Sequence, residues 1–307
     1  MGEKIGLVGM GLVGAALAEN LLTAGYEVIG FDLLEEKRRG LESLGGRAAS
    51  SLQDVAGQVE CLILSLPDSE VVAEVIEGSG GILSYPSRIR FILDTTTGEP
   101  DKGRALAIRL QSKGIRFLDA TLSGSSEQIR RREGVFMVGG EREAFDACQP
   151  LFRALAEKYF YLGPSGSGSK AKLASNLILG LNRLVLAEGL VFAEKLGLDL
   201  PAFLKLLKET PAYSKAMDVK GEKMLKGDFT AHSKIAQHRK DLGIIIDYAS
   251  RAGQPLPLAC VHRDILERAI FQGEGDLDNA AVIKQYRQLC FCQGNEKIGQ
   301  NDRLNLK

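Results

Sequence analysis

The feature that most constrains this chain is a G-x-G-x-x-G pattern close to its first residue. Gly9, Gly11 and Gly14 stand in GLVGMGLVG, directly after a strand pattern and directly before a helical one. In a dinucleotide-binding turn the first glycine allows the tight turn, the second admits a pyrophosphate, and the third lets helix and strand pack closely. The following helix N-terminus offers free N–H groups to the phosphates. The predicted cofactor-binding residues of this turn are Gly9, Met10, Gly11, Leu12, Val13 and Gly14.

An acidic residue after the second strand pattern bears on the choice of cofactor. Asp32 follows EVIGF, 18 residues after Gly14. A carboxylate at this point accepts hydrogen bonds from an adenosine ribose and repels a 2′-phosphate, which favours NAD over NADP. The alternative is an ordinary exposed aspartate beside a glycine-rich turn. NADP also stays open, because Lys37, Arg38 or Arg39 could reach a 2′-phosphate if they do not simply form a solvated helix start.

The first half of the chain alternates short strand patterns with helical segments. Such alternation predicts a parallel sheet covered by helices, with right-handed crossovers. The wholly apolar CLILSL fits a central strand buried on both faces. The predicted strands are KIGLVG, EVIGFD, ECLILSL, RFILDTT, IRFLDATL, VFMVGG and YFYLG.

After Gly163 the pattern becomes wholly helical. The long segment that follows is apolar around most of its circumference from Leu177 onward, which predicts burial between other elements. Gly253 and Gly273 are expected to cap later helices. We predict an α/β fold with three parts: a Rossmann-type doubly wound NAD(P)-binding domain in residues 1–163, an all-α substrate and oligomerisation domain in 164–292, and a polar tail in 293–307.

Composition limits the partners that the chain is expected to have. Its 39 Lys+Arg balance 39 Asp+Glu, so no net charge attracts nucleic acid or an anionic membrane. We find no uninterrupted apolar run near the roughly 20 residues of a membrane span, and no room for a signal peptide. We expect a soluble, cytoplasmic protein. The five cysteines and three histidines lack zinc-site spacing, so no metal is expected, and the pair Cys290 and Cys292 has no assigned role.

The Gly/Ser-rich stretch GPSGSGSKAKLASN, at residues 163–176, carries a candidate acid/base at the domain boundary. Hydride transfer needs a companion proton transfer. Lys172 and Asn176 are spaced i, i+4 and therefore project from one helix face, where a cleft between domains is expected. Partial burial near a cationic nicotinamide would lower the pKa of the lysine toward neutrality. The glycines of the stretch would let the backbone pass close to nicotinamide and substrate. The alternative is a flexible hinge followed by a solvated lysine.

Several blocks in order resemble the β-hydroxyacid dehydrogenases, the family of 3-hydroxyisobutyrate dehydrogenase and tartronate semialdehyde reductase. The resemblance spans roughly residues 4–288 and rests on GLVGMGLVG, LP at 66–67, DTTT at 94–97, DATLSG at 119–124, the lysine block at 163–176 and KDL at 240–242. It implies a Rossmann domain followed by an all-helical domain, usually in homodimers or homotetramers. It also implies NAD(P)-dependent interconversion of a small hydroxycarboxylate and its semialdehyde or oxo acid.

The resemblance implies a role for each matching residue. Lys172 would be the general acid in reduction and the base in oxidation, with Asn176 as its partner. Ser123 and Gly124 would bind the substrate carboxylate through a hydroxyl and a backbone N–H. Asp241 would orient its neighbours. The further implied cofactor contacts are Leu66, Pro67, Thr97 and Lys240, of which Lys240 would also close over the substrate.

Two departures from the family pattern affect the expected substrate. Ser125 stands where a further glycine is usual, in a longer and charged loop, and Ser233 stands where an aromatic residue is usual. An enlarged and more polar pocket is therefore expected. Arg130, Arg131 and Arg132 of the loop would bind a second anionic group of the substrate, unless they are simply solvated.

Lys172 also discriminates between rival functions. A catalytically silent nucleotide-binding sensor or scaffold of the same superfamily typically lacks this lysine, as do imine-reducing relatives. Its presence favours an oxidoreductase acting on a small hydroxy acid or semialdehyde.

Overall fold

The computed structural model describes residues 3–288, so Cys290, Cys292 and the tail 293–307 lie outside the described residues. Eight strands form one sheet. The seven predicted strands are all present, and a two-residue strand was missed. The strands are β1 (Lys4–Val8), β2 (Glu27–Phe31), β3 (Arg47–Ala48), β4 (Cys61–Leu64), β5 (Phe91–Asp94), β6 (Arg116–Ser123), β7 (Val135–Gly139) and β8 (Lys158–Gly163).

The strand order is β3-β2-β1-β4-β5-β6-β7-β8, which confirms the Rossmann-type doubly wound sheet. The order reverses between β1 and β4, so a crevice opens at the carboxyl ends of these two strands. The sheet is mostly parallel, as predicted, and one strand departs from this pattern, since β7 runs antiparallel to β6. Only residues 124–134 join the two strands, and this connection is too short for the usual parallel crossover.

Helices cover the sheet and account for the regular structure that follows it within the described residues. Short 3₁₀ turns (Ile82–Ser84 and Asn279–Ala281) and a π-helical turn (Met217–Gly221) accompany them. The α-helices are α1 (Leu12–Thr23), α2 (Glu35–Ser43), α3 (Leu52–Ala56), α4 (Ser69–Glu77), α5 (Pro100–Gln111), α6 (Ser126–Arg130), α7 (Arg142–Ala147), α8 (Gln149–Leu155), α9 (Ser167–Lys195), α10 (Leu200–Lys208), α11 (Glu222–Lys226), α12 (Ile235–Arg251), α13 (Pro257–Phe271) and α14 (Val282–Arg287).

The apolar core has three parts, two of which lie on opposite faces of the sheet. Ile63 of β4 belongs to one face, and its neighbours Leu62 and Leu64 belong to the other. All three side chains are fully buried, so CLILSL is the central strand that the sequence predicts. The third part lies among the helices from α9 to α14, where Leu190 and Leu266 are buried.

The first turn of α9 is fixed to the sheet. The carboxylate of Asp119 on β6 accepts hydrogen bonds from Gly166 N at 2.9 Å and from Ser169 N at 2.8 Å. A Cβ at Gly168 would lie 2.4 Å from the carbonyl oxygens of Asp119 and Met137, so only glycine fits there. The glycines of this stretch were expected to pass close to a ligand. At Gly168 the close contact is instead with strands β6 and β7.

One side of α9 departs from the predicted burial. Ile178, Val185, Phe192 and Leu196 are exposed, although the opposite side of the helix packs into the helical core. By length and composition alone α9 is long and apolar enough to cross a membrane, and 44% of its most apolar window is buried within the protein. The helix thus buries one side and leaves an apolar stripe on the other.

Candidate active site

The turn between β1 and α1 has the backbone that its glycines predict. Gly9 has φ +89°, and a Cβ there would lie 2.2 Å from Ser65 O. A Cβ at Gly14 would lie 2.0 Å from Gly9 O, whereas a Cβ at Gly11 meets no atom within 4 Å. Gly9 and Gly14 therefore satisfy the protein's own packing. Gly11 leaves open space at the N-terminus of α1, the position that suits a phosphate. The other predicted residues here are Met10, which is buried, Leu12, which is exposed, and Val13, which is half-buried.

Asp32 lies beside this turn at the end of β2. Its carboxylate accepts hydrogen bonds from Met10 N at 2.7 Å and from Leu34 N at 2.9 Å. Arg38 donates to the backbone oxygen of Asp32 at 2.5 Å, so a cation contacts the main chain of this residue. The remaining basic residues of this segment pair locally on the helix surface: Lys37 with Glu36 and Arg39 with Glu35. Lys37 and Arg39 therefore belong to a solvated helix start. Of the three basic residues, only Arg38 contacts Asp32.

Lys240 connects the helical part of the chain to the nucleotide-binding part. From α12 its Nζ donates to Pro67 O at 2.7 Å and to Thr97 O at 2.8 Å, in the loops after β4 and β5. The same Nζ lies 3.2 Å from Asp241 Oδ1. Leu66 N donates to Thr96 Oγ1 in the same region. The structure thus brings Lys240 together with the predicted cofactor contacts, through two hydrogen bonds to backbone oxygens and an ion pair with Asp241.

A cavity of about 460 Å³ lies between the end of β6 and the helices α9 and α12. This volume falls in the usual range for a small-molecule site. Ser233 lines the cavity, and a serine there occupies less space than the aromatic side chain usual in the family. The other predicted residues in the lining are Ser123, Gly124, Lys172, Asn176 and Asp241.

Lys172 is the candidate proton donor and acceptor of the cavity. Its side chain is 8% exposed and makes no hydrogen bond or ion pair within residues 3–288. Burial lowers its pKa to about 8, nearby Arg183 contributes in the same direction, and Asp241 opposes both. The lysine can therefore carry or release a proton near neutral pH, as a general acid/base requires.

Asn176 is held by α12 rather than by the lysine. Its Nδ2 donates to Asp241 Oδ2 at 3.2 Å, and Asp241 Oδ1 also accepts from Gln237 at 3.3 Å. Burial raises the pKa of Asp241, while Lys240 and Lys172 oppose that rise. No hydrogen bond joins the side chains of Asn176 and Lys172 among the described residues. Asp241 thus contacts both Asn176 and Lys240, and its positioning role stays a prediction.

The cavity contains charged residues that the sequence analysis missed. Arg183 lies seven residues after Asn176 on α9, and this spacing was the one available signal. Lys220 is buried in the π-helical turn and meets both carboxylate oxygens of Asp278, at 2.6 and 2.9 Å. The pair is 58 residues apart in the chain, so no local pattern reveals it. His238 is a further lining residue, and burial lowers its pKa well below the usual value.

The three arginines expected to bind a second anion lie elsewhere. Ser125 is the N-cap of α6 and forms a capping box with Gln128, so the longer loop is a short helix packed on the protein. The arginines do not line the cavity. Their side chains are exposed and bind protein groups: Arg130 binds Glu19, Arg131 binds Glu127, and Arg132 binds the carbonyl of Arg153. These three arginines are therefore solvated surface residues, which is the alternative stated for them in the sequence analysis.

Two family models match nearly the whole described chain. The model of the NAD binding domain of 6-phosphogluconate dehydrogenase matches residues 4–163. The model described as the NAD-binding of NADP-dependent 3-hydroxyisobutyrate dehydrogenase matches residues 166–286.

Full-length relatives agree with these matches. The 2-(hydroxymethyl)glutarate dehydrogenase of Eubacterium barkeri is 32% identical, over 93% of this chain and 95% of that protein. The 2-hydroxy-3-oxopropionate reductase of Escherichia coli is 29% identical, over 92% of this chain and 96% of that protein. The crystal structure of a 3-hydroxyisobutyrate dehydrogenase from Salmonella typhimurium matches with a TM-score of 0.82 and 26% identity, over 92% of this chain and 99% of that one. Dehydrogenases and reductases of hydroxy acids therefore share both the sequence pattern and the architecture.

Proposed function

The chain belongs to the β-hydroxyacid dehydrogenase family and uses an NAD(P) cofactor, and on that premise we propose that Lys172 carries the proton in its reaction. The reaction interconverts a small hydroxycarboxylate and its semialdehyde or oxo acid. The observation that carries this proposal is the state of Lys172. It is buried, without a protein partner among residues 3–288, in a cavity that also contains the predicted carboxylate site.

The residues of the cavity divide the chemistry between them. Ser123 and Gly124 bind the substrate carboxylate with a hydroxyl and a backbone N–H. In oxidation the neutral Lys172 accepts the proton of the substrate hydroxyl, and in reduction its ammonium form donates that proton to the developing alkoxide. Asn176, held by Asp241, binds the same oxygen and fixes its position. This use of Lys172 distinguishes the enzyme from a silent nucleotide sensor.

The cofactor fits the turn between β1 and α1. Bound NAD(P) supplies the carrier that takes or gives the hydride. The open space at Gly11 and the N-terminus of α1 receive the pyrophosphate, and Asp32 receives the adenosine ribose, so NAD is preferred over NADP. The complete set of proposed contacts is Gly9, Met10, Gly11, Leu12, Val13, Gly14, Asp32, Leu66, Pro67, Thr97 and Lys240.

The relatives leave the number of acid groups on the substrate open. One is named for a glutarate, which has two carboxylates, and another for an oxopropionate, which has one. Family membership therefore supports a hydroxycarboxylate, and the count of its charges must come from the cavity of this chain.

We further propose how the chain is organised and assembled. The nucleotide-binding domain spans residues 1–163, and the helical domain begins at residue 164. The exposed apolar stripe of α9 packs against a second copy in a homodimer or homotetramer, which supports a water-soluble, cytoplasmic enzyme. Size-exclusion chromatography with light scattering tests the assembly: a monomer at micromolar concentration would contradict it.

The proposed reaction is tested by absorbance at 340 nm on a panel of small hydroxy acids and semialdehydes, each with NAD(H) and NADP(H). Wild-type protein is compared with Lys172→Ala. Lys170→Ala is the matched control, because Lys170 lies on the same helix but is exposed. We expect turnover that Lys172→Ala abolishes and that Lys170→Ala leaves in place. Equal turnover by wild type and Lys172→Ala would overturn the role of the lysine.

A further inference from the structure

Arg183 lies on the same face of α9 as the proposed proton carrier. At 100° per residue, Arg183 is roughly 20° around the helix axis from both Lys172 and Asn176. Side chains on a helix lean toward its N-terminus, so we expect the guanidinium to lean toward Asn176. Arg183 lines the same cavity as the lysine and the asparagine.

The carboxylates nearest to Arg183 are already committed to other donors. Asp278 binds Lys220 through both oxygens and accepts three further bonds, from the backbone N–H groups of His232, Ser233 and Ala280. Asp241 binds Asn176, Gln237 and Lys240. Within residues 3–288 the Arg183 side chain makes no hydrogen bond and no ion pair. Its five N–H donors therefore remain available to a ligand.

The surroundings of Arg183 leave its charge uncompensated. Burial lowers the pKa of Arg183 to about 10, so the guanidinium stays protonated at neutral pH. Two carboxylates line the cavity, Glu133 and Asp241. Five cationic side chains line it: Lys158, Lys172, Arg183, Lys215 and Lys220. Lys220 is paired with Asp278 and Lys215 with Asp218, so within residues 3–288 three of these cations are left without a carboxylate from outside the lining. A partly desolvated cation without a partner is costly, and an anionic ligand removes that cost.

Arg183 is separate from the predicted carboxylate site. The predicted carboxylate site, Ser123 and Gly124, lies at the end of β6, whereas Arg183 lies two turns beyond Asn176 on α9. We propose that the substrate carries two carboxylates, and that Arg183 binds the one distal to the reacting carbon. This inference rests on the proposed function and specifies its substrate class as a dicarboxylic hydroxy acid or the matching semialdehyde.

Equilibrium binding tests the second site without requiring turnover. Succinate, glutarate and adipate are titrated calorimetrically into the NADH complex, each beside its own monoamide, which keeps the shape and removes one charge. We expect at least one diacid to bind wild-type protein about tenfold or more tightly than its monoamide, the usual scale for a desolvated charge pair. Equal binding of every diacid and its monoamide would overturn the proposal.

Variants then assign the preference to one residue. Arg183→Gln removes the charge and is expected to abolish the diacid preference, while Arg183→Lys retains part of it. Arg131→Gln is the matched control, because Arg131 is exposed and pairs with Glu127 outside the cavity. A diacid preference that survives in a folded Arg183→Gln protein, with circular dichroism and NADH binding intact, contradicts the assignment.

The two proposals fail in different ways. If the diacid preference depends on Arg183 but no hydroxy acid is turned over, the anion site stands and the proposed reaction is wrong. If monocarboxylates and dicarboxylates are turned over equally well and Lys172→Ala abolishes both activities, the reaction stands and the second site is wrong.

Discussion

The nucleotide turn, residues 9–14, and the cavity between β6, α9 and α12 are built by different means. The turn is shaped by backbone, with glycines that fit where any Cβ would collide or fill the ligand space. The cavity is shaped by buried side-chain charges drawn from distant segments. Backbone does not titrate, whereas lysine and aspartate do. We therefore expect changes of volume to affect the turn, and changes of charge or pH to affect the cavity.

The sharpest separation of the two regions is expected from Lys172→Met. Loss of the proton carrier should lower kcat/KM by about 10³-fold, within the usual range for general acid/base groups. The NADH dissociation constant should stay within about twofold, because the turn is untouched. Methionine also removes a buried charge without a protein partner, so the melting temperature should rise. Absorbance at 340 nm measures turnover, fluorescence titration measures NADH binding, and calorimetry measures the melting temperature. If Lys172→Met lost both turnover and NADH binding, the turn and the cavity would not be independent.

Two glycines of the turn should respond differently to the same added methyl group. At Gly11 the space is open, so Gly11→Ala should keep the melting temperature and weaken NADH binding by about 30-fold. At Gly14 a Cβ would lie 2.0 Å from Gly9 O, so Gly14→Ala should lower the free energy of unfolding by about 1–3 kcal/mol. Chemical denaturation and fluorescence titration separate the two outcomes. A destabilised Gly11→Ala protein would show that the open space is not a ligand site.

Asp32 is the one charged side chain of the nucleotide-binding set beside the turn, and it should control cofactor choice. Asp32→Ser removes the carboxylate and leaves Arg38 near this position, so the ratio of NADP to NAD efficiency should rise about tenfold or more, the scale of one hydrogen bond to a charged group. Initial rates with both cofactors measure the ratio. Glu36→Gln, on the exposed surface of the following helix, serves as the control and should leave the ratio unchanged.

The smallest expected effect is a displacement of the pH profile. With the pKa of Lys172 at about 8, kcat/KM for oxidation should rise with pH and level off above pH 8, because the neutral amine is the base. For reduction kcat/KM should be flat below pH 8 and fall above it. Asp241 raises the pKa of Lys172, so Asp241→Asn should move both inflections to lower pH. Inflections that move to higher pH would contradict the electrostatic role of Asp241.

A structural feature can be predicted from the sequence when the residues that produce it are close together in the chain. The glycine turn and the strands of the sheet arise from neighbouring residues, and their patterns are visible in short windows. Strand β3 has two residues, too few for any pattern, and strand direction at β7 depends on the length of the connection before it. The apolar circumference of α9 indicates burial, but it does not tell whether this chain or another copy provides the cover.

The charged lining of the cavity is difficult to predict, because its residues are distant in the sequence and come together only in the folded chain. Lys172 and Asn176 were identified by spacing and resemblance, since both lie within one helical turn. Lys220 and Asp278 are far apart in the chain, and Arg183 looks like an ordinary surface arginine of a long helix. The cluster Arg130, Arg131 and Arg132 attracted attention because its charges are consecutive, yet each of these side chains is exposed and binds a protein group outside the cavity.

The anchoring of α9 to the sheet limits where the two domains of related proteins can be joined in a chimera. Asp119 of the sheet holds Gly166 and Ser169, so Lys172 takes its position from the nucleotide-binding domain although it follows the proposed boundary at residue 163. A chimera joined at residue 163 would unite a foreign first turn with this sheet and misplace the lysine. We expect helical domains to be exchangeable among relatives only when the junction falls after Asn176. The proposed proton carrier thus keeps its position with the sheet, whereas cavity residues such as Arg183 and Ser233 are free to diverge with the helices.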